Sequence, residues 1–159
     1  MDFLLKVLLI SGYLATLTVS SPLNEYSPEL KNTYAEECKK ELNASKEDFL
    51  ILNSEKVPKN EVQSCLVDCL YTKLGAIKGE KWDEDAHIRI IKTKYANEKE
   101  KFSEVKKKIK KCAAEAKKSP NETCGIGKNL RTCLDVLKKN KNTSKSTNAK
   151  NKDNETSQS

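Results

Sequence analysis

Six cysteines, Cys38, Cys65, Cys69, Cys112, Cys124 and Cys133, are the residues of this chain best suited to chemistry, and that chemistry is disulfide formation. The gaps between them are 26, 3, 42, 11 and 8 residues. An even count behind an apolar leader reads as a disulfide framework, because oxidising compartments preserve such bonds and small domains rely on them. A zinc site fits poorly. Structural zinc draws on closely spaced ligand pairs and histidines, whereas only Cys65 and Cys69 are close and His87 is the sole histidine. Catalysis lacks its usual parts too. With all six cysteines paired no thiol remains, and no compact Ser or Asp constellation surrounds His87, so no catalytic residue, metal or cofactor is expected. A small secreted lipase is disfavoured on the same ground. His87, between Ala86 and Ile88, reads as an ordinary, partly exposed helix residue rather than a gate.

Helices must hold these cysteines, since the periodicity is helical almost throughout and strand signals are absent. Ser27 and Pro28 open a first helix on which Leu30, Tyr34, Cys38 and Leu42 recur every fourth residue. Ser45 with Asp48 resembles a capping box before the short run Phe49 to Leu52, and Pro58 closes that region. From Asn60, the stripe Val62, Cys65, Leu66, Cys69 and Leu70 marks a third helix with Gly75 as its stop. Cysteines four apart on one helix lie side by side, but a bridge between them must fit a tight geometry, so each is expected to reach a different helix. That helix would be the hub of the fold. Gly79, Lys81, Trp82 and Asp83 read as a polar connection to a fourth helix, Glu84 to Tyr95. The fifth carries Phe102, Val105, Ile109, Cys112 and Ala116 opposite a lysine face, and Ser119, Pro120 and Asn121 break it. A last helix is expected from about Gly127 to Lys138, burying Leu130, Cys133, Leu134 and Leu137.

Residues 1–20 read as a cleaved secretory leader, with Lys6 near the start, an apolar run, and Thr18, Val19 and Ser20 at its exit. Ser11, Gly12 and the threonines argue against an uncleaved anchor. Residues 21–139 then form one helical domain of modest core, since charged residues make up 33% of the chain and aromatics 6%. Residues 140–159, rich in Lys, Asn, Ser and Thr, offer no core-forming side chain and are expected to stay disordered. The net charge of +7 does not indicate nucleic acid, because Lys138 to Ser159 contributes +4 and leaves +3 for the rest. Glu100, Glu104 and Glu115 also interrupt the lysine face from Lys101 to Lys118, which suits a solvated helix. Gly125, Ile126, Gly127 and Lys128 resemble part of a phosphate loop, but the full motif needs four residues between its glycines and a hydroxyl where Asn129 stands. Asn43, Asn121, Asn142 and Asn154 are sequons available for glycosylation in a secreted chain.

Six helices, six cysteines, a three-residue gap between the second and third and an eight-residue gap between the fifth and sixth resemble the insect odorant-binding proteins. The resemblance covers Leu30 to Leu137, and the stretch Cys69 to Gly79 looks like that family's link between its third and fourth helices. Spacing alone leaves fifteen pairings open. The resemblance implies Cys38 to Cys69, Cys65 to Cys124 and Cys112 to Cys133. It also implies an all-α fold of about six helices around a hydrophobic cavity, cross-linked by three interlocked disulfides, that carries small hydrophobic molecules through extracellular fluid. On that reading the cavity is lined by Leu66, Leu70, Leu74, Ile88, Ile91, Tyr95, Phe102, Val105, Ile109, Leu130, Leu134 and Leu137. The protein would be a monomer or weak homodimer, with a membrane receptor or an anionic surface as further partners. The alternative keeps the scaffold but makes it a secreted effector that binds anionic surfaces or a protein through its basic tail. Some members of the family fold an apolar C-terminal segment over the cavity or release ligand through histidine clusters. This chain has the residues for neither.

Overall fold

The computed structural model describes residues 26–150, with side chains through 140. The expected leader, and the tail beyond Lys150, lie outside the described residues. Six α-helices follow in order: α1 (Pro28–Glu41), α2 (Lys46–Phe49), α3 (Glu61–Lys73), α4 (Glu84–Lys94), α5 (Lys99–Cys112) and α6 (Ile126–Lys150). Single 3-10 turns extend α2 (Leu50–Asn53) and α5 (Ala113–Glu115). The local signals act as physics requires. Ser27 Oγ accepts from Leu30 N, Asn60 Oδ1 from Gln63 N and Asp83 Oδ1 from Ala86 N, each satisfying an orphan donor of a first turn. Ser45 Oγ accepts from Asp48 N and donates to the Asp48 carboxylate, which also receives Asn60 and Gln63 and is held below the usual carboxylate range, the Asn60 hydrogen bond first among the causes. Gly75, at φ +76, ends α3 in the left-handed conformation that favours glycine.

Two elements depart from the sequence reading. The connection before α4 is not merely polar coil but a hairpin of two short strands, β1 (Ile77–Lys78) and β2 (Lys81–Trp82), with Ile77 opposite Trp82. Gly79, at φ +61, leads the two-residue turn, a position that suits glycine in tight hairpins. Strands of two residues carry no alternation to read. Secondly, the backbone of α6 continues to Lys150, so the boundary expected at residue 139 falls inside a helix. Once a helix is anchored, each further residue needs only propagation, and no Gly or Pro intervenes between Lys138 and Lys150.

Helix α3 is the hub. Its Cys69 bridges to Cys38 of α1 and its Cys65 to Cys124 just before α6, while Cys112 at the end of α5 bridges to Cys133 of α6. The pairing implied by the resemblance is therefore the one observed. The segment Gly125 to Gly127 has a structural role: Asp68 of α3 accepts from the backbone N–H groups of Gly125 (2.8 Å), Ile126 (3.2 Å) and Gly127 (2.7 Å). One carboxylate on α3 thus caps the start of α6, where the helix dipole favours negative charge. Gly127 permits this approach. A Cβ there would stand well inside van der Waals contact of Val67 Cγ1 and 2.9 Å from Asp68 Oδ1. Gly127→Ala should cost about 2 kcal/mol by overpacking, and Asp68→Ala about 3 kcal/mol by stranding the three donors. Urea midpoints check both, and an unchanged midpoint for either would mean the cradle is not formed in solution.

Buried apolar residues gather in three clusters rather than one. The first joins Ala35, Cys38, Ile51, Leu52, Leu66, Val67 and Leu70. The second joins Ile77, Cys112, Ala116, Ile126 and Leu130, and the third Ile91, Tyr95 and Ile109. Tyr71 packs on the first and second, Leu134 on the second and third. The space that the clusters leave between them is where the site lies.

Candidate functional site

Helical faces decide which side chains meet in that space. From α3 come Leu70, Tyr71 and Leu74, from α4 His87, Ile90 and Ile91 followed by Tyr95, and from α5 Val105 and Ile109. Leu52 closes one side and Leu134 of α6 another, enclosing about 600 Å³. This lies within the range of small-molecule sites, and its largely aliphatic and aromatic walls suit an apolar occupant. A second, somewhat more open hollow of about 900 Å³ adjoins it, sharing Tyr26, Leu74, Ile90 and Tyr95 and adding Leu30, Tyr34 and Phe102.

The twelve residues expected to line a cavity divide accordingly. Leu70, Leu74, Ile91, Tyr95, Val105, Ile109 and Leu134 line the inner cavity, and Phe102 lines the outer hollow with Leu74 and Tyr95. The other four do not line either. Leu66 and Leu130 are wholly buried in cluster packing, Ile88 packs against the Ile91 cluster, and Leu137 packs on the Cys112 cluster and borders a shallow surface hollow. The reason is rotation about the helix axis. On α6 the cavity face is Arg131, Leu134, Asp135 and Lys138, whereas Leu130, Cys133 and Leu137 turn toward α5 and the following 3-10 turn. Both faces have helical spacing, and only the neighbours show which one meets the void.

Several wall residues escaped the sequence reading. His87 is not partly exposed: it keeps 6% of its surface, on the cavity wall beneath the hairpin. Its ring lies 4.7 Å from that of Trp82, nearly perpendicular, and 5.5 Å from that of Tyr71. Its Nδ1 has no hydrogen-bond partner, nor does the buried Trp82 Nε1. Burial, reinforced by the charges of Lys94 and Arg131, lowers the His87 pKa to about 4, so the ring is neutral at physiological pH. Arg131 keeps only 8% exposure. Its guanidinium Nη1 donates to the carbonyls of Ile51 (3.0 Å) and Lys56 (3.1 Å), tying α6 to the segment after α2. The i, i+3, i+4 and i+7 spacing of Arg131, Leu134, Asp135 and Lys138 was the signal available for this face.

The mouth of the cavity is charged. Glu55 accepts from Lys94 and Lys138, and the Lys138 hydrogen bond is the first cause holding its carboxyl below the usual range. Glu104 pairs with Lys108 at 2.7 Å and Asp135 with Lys139 at 2.8 Å. Lys94 and Lys101 also sit over the Tyr95 ring at 5.2 and 5.0 Å. Among the described residues no group of His, Cys, Asp and Glu could hold a metal ion, no cysteine is free, and no helix is long and apolar enough to cross a membrane. Of the sequons, Asn43 and Asn121 are exposed, Asn142 lies on α6 where only backbone is described, and Asn154 is outside the described residues.

Comparison with known proteins agrees with this architecture. The model of the PBP/GOBP family matches residues 21–136. General odorant-binding protein 19d of Drosophila melanogaster is 28% identical over 132 residues, spanning 82% of this chain and 87% of that protein. The crystal structure of a pheromone-binding protein from the cockroach Leucophaea maderae, in complex with the fluorescent reporter ANS, superposes with a TM-score of 0.57 at 22% identity. It covers 71% of this chain and 98% of its own, a likeness of fold.

Proposed function

Because this chain belongs to the PBP/GOBP family, we propose that it is a secreted carrier that takes small hydrophobic molecules, such as odorants, pheromones or lipid-like ligands, into its inner cavity and moves them through extracellular fluid. The observation that carries this reading is the void of about 600 Å³ left between three apolar clusters, walled by α3, α4, α5 and α6, of which disulfides tie α3 and α5 to α6. The names of its relatives, a general odorant-binding protein and a pheromone-binding protein in complex with the fluorescent reporter ANS, support it. Apolar transfer needs no catalytic group. Burying about ten carbons gives about 8 kcal/mol at roughly 0.8 per methylene. The cost of lost ligand freedom lowers that figure, so a plain aliphatic ligand should bind no tighter than about micromolar.

The test is displacement of N-phenyl-1-naphthylamine from the oxidised, leader-free protein by a panel of alcohols, esters, aldehydes and fatty acids. Saturable reporter uptake, competitive displacement and loss of both on reduction are expected. A chain ending at Lys139 should behave identically, since the cavity walls lie before that residue. Correctly bridged, helical protein that takes up no reporter would sink the carrier reading, and binding to anionic vesicles that disappears with residues 140–159 would favour the surface-binding effector.

A further inference from the structure

Resting on the carrier reading, we propose that the preferred occupant of the inner cavity is an anionic amphiphile, a long-chain carboxylate whose head pairs with Arg131 and Lys31 while its chain lies along Leu70, Ile91, Ile109 and Leu134. Burying a guanidinium is costly unless its charge is matched, and Arg131 is more than nine-tenths buried. Its two recorded partners are neutral carbonyls, both reached through Nη1. Among the described residues it forms no ion pair, and neither does Lys31, which shares the cavity wall with it. The acids on that wall are already engaged, Glu55 by Lys94 and Lys138, Glu104 by Lys108 and Asp135 by Lys139.

The electrostatics of the neighbours agree with a positive interior. Burial lowers the Lys31 pKa, and Lys94 and Arg131 lower it further, the same two cations that act on His87. Three positive groups therefore line the same void, and of these only Lys94 is paired with an acid on the wall, Glu55. A carboxylate would relieve their mutual repulsion, and the planar guanidinium offers it a two-pronged, charge-assisted hydrogen bond. A neutral alcohol or ester of the same chain would bury the same methylenes and leave Arg131 and Lys31 unmatched. His87, neutral and with an unpartnered Nδ1, adds no opposing negative charge.

The experiment compares hexadecanoate, hexadecanol and methyl hexadecanoate as competitors for N-phenyl-1-naphthylamine at neutral pH, below their aggregation limits. The acid should bind at least tenfold tighter than either neutral analogue. Lys31→Met should reduce that preference several-fold, and Arg131→Met should abolish it. Near-ultraviolet circular dichroism, dominated by Trp82, reports folding. If Arg131→Met fails to fold, Lys31→Met and the wild-type comparison still decide. Equal or weaker binding of the acid by folded wild type, or a preference undiminished in Lys31→Met, would overturn the proposal. Failure of all three competitors with no reporter uptake would instead remove the carrier reading on which it rests.

Discussion

Replacing Cys65 and Cys124 together by alanine should lower stability by about 4 kcal/mol in the chain-entropy account, in which a bridge gains with the loop it closes. This bridge spans 59 residues, against 31 for Cys38–Cys69 and 21 for Cys112–Cys133. The Cys112–Cys133 pair should accordingly cost about 3 kcal/mol on the same scale. Position adds to length. Cys124 stands just before the three N–H groups that Asp68 caps, so opening the bridge also frees the start of α6, the helix that brings Arg131 and Leu134 to the cavity. A loss of this size is a large share of the roughly 5 to 15 kcal/mol available to a domain. Urea unfolding of the three double variants gives the order directly. Reporter uptake should fail first in the Cys65/Cys124 variant. If the Cys112/Cys133 variant proves the least stable, α3 is not the hub of the fold.

Acid should weaken the fold through His87. Its folded-state pKa is about 4 against an ordinary value of 6.5, so between those limits the unfolded chain binds the proton more readily than the native one. Stability is therefore complete above pH 6.5 and falls as pH drops toward 4, by up to about 3 kcal/mol at 1.36 per unit. Each group around the ring acts in this direction or leaves it unchanged. Tyr71 of α3 and Trp82 of β2 cover it with aromatic surface, while Lys94 of its own helix and Arg131 of α6 repel a second positive charge. His87→Phe keeps a ring against Tyr71 and Trp82 and removes the proton. Its urea midpoint should stay flat from pH 6.5 to 5 and decline only in the carboxylate range, where Asp48, Glu55, Asp83 and Glu122, all held below their usual values, begin to protonate. Parallel pH profiles for the two proteins would show that His87 is solvated in solution.

How much of this was legible beforehand follows the range of each interaction. Caps at Ser27 and Ser45, the helix start at Asn60 and the stop at Gly75 act within four residues, and they read correctly from the chain. The hairpin before α4 did not, because two-residue strands are held by one register of backbone pairing rather than by a side-chain pattern. Missing the hairpin meant missing the burial of His87, since Trp82 on β2 is what covers it. The glycines at 125 and 127 were legible as an unusual pair but not as a carboxylate cradle, for their partner Asp68 lies 57 and 59 residues away.

By itself the sequence determined the six helices and, through resemblance, the disulfide pairing and family, because periodicity, capping and cysteine spacing are properties of the chain. Tertiary structure alone decided which stripe of each helix faces the void. Leu130 and Leu134 have equal claim to a cavity by type and spacing, yet one fills the packing beside Cys112 and the other lines the cavity. It also decided that Arg131, one cation among many, would be buried there, since the environment of a charge is set by the elements packed around it.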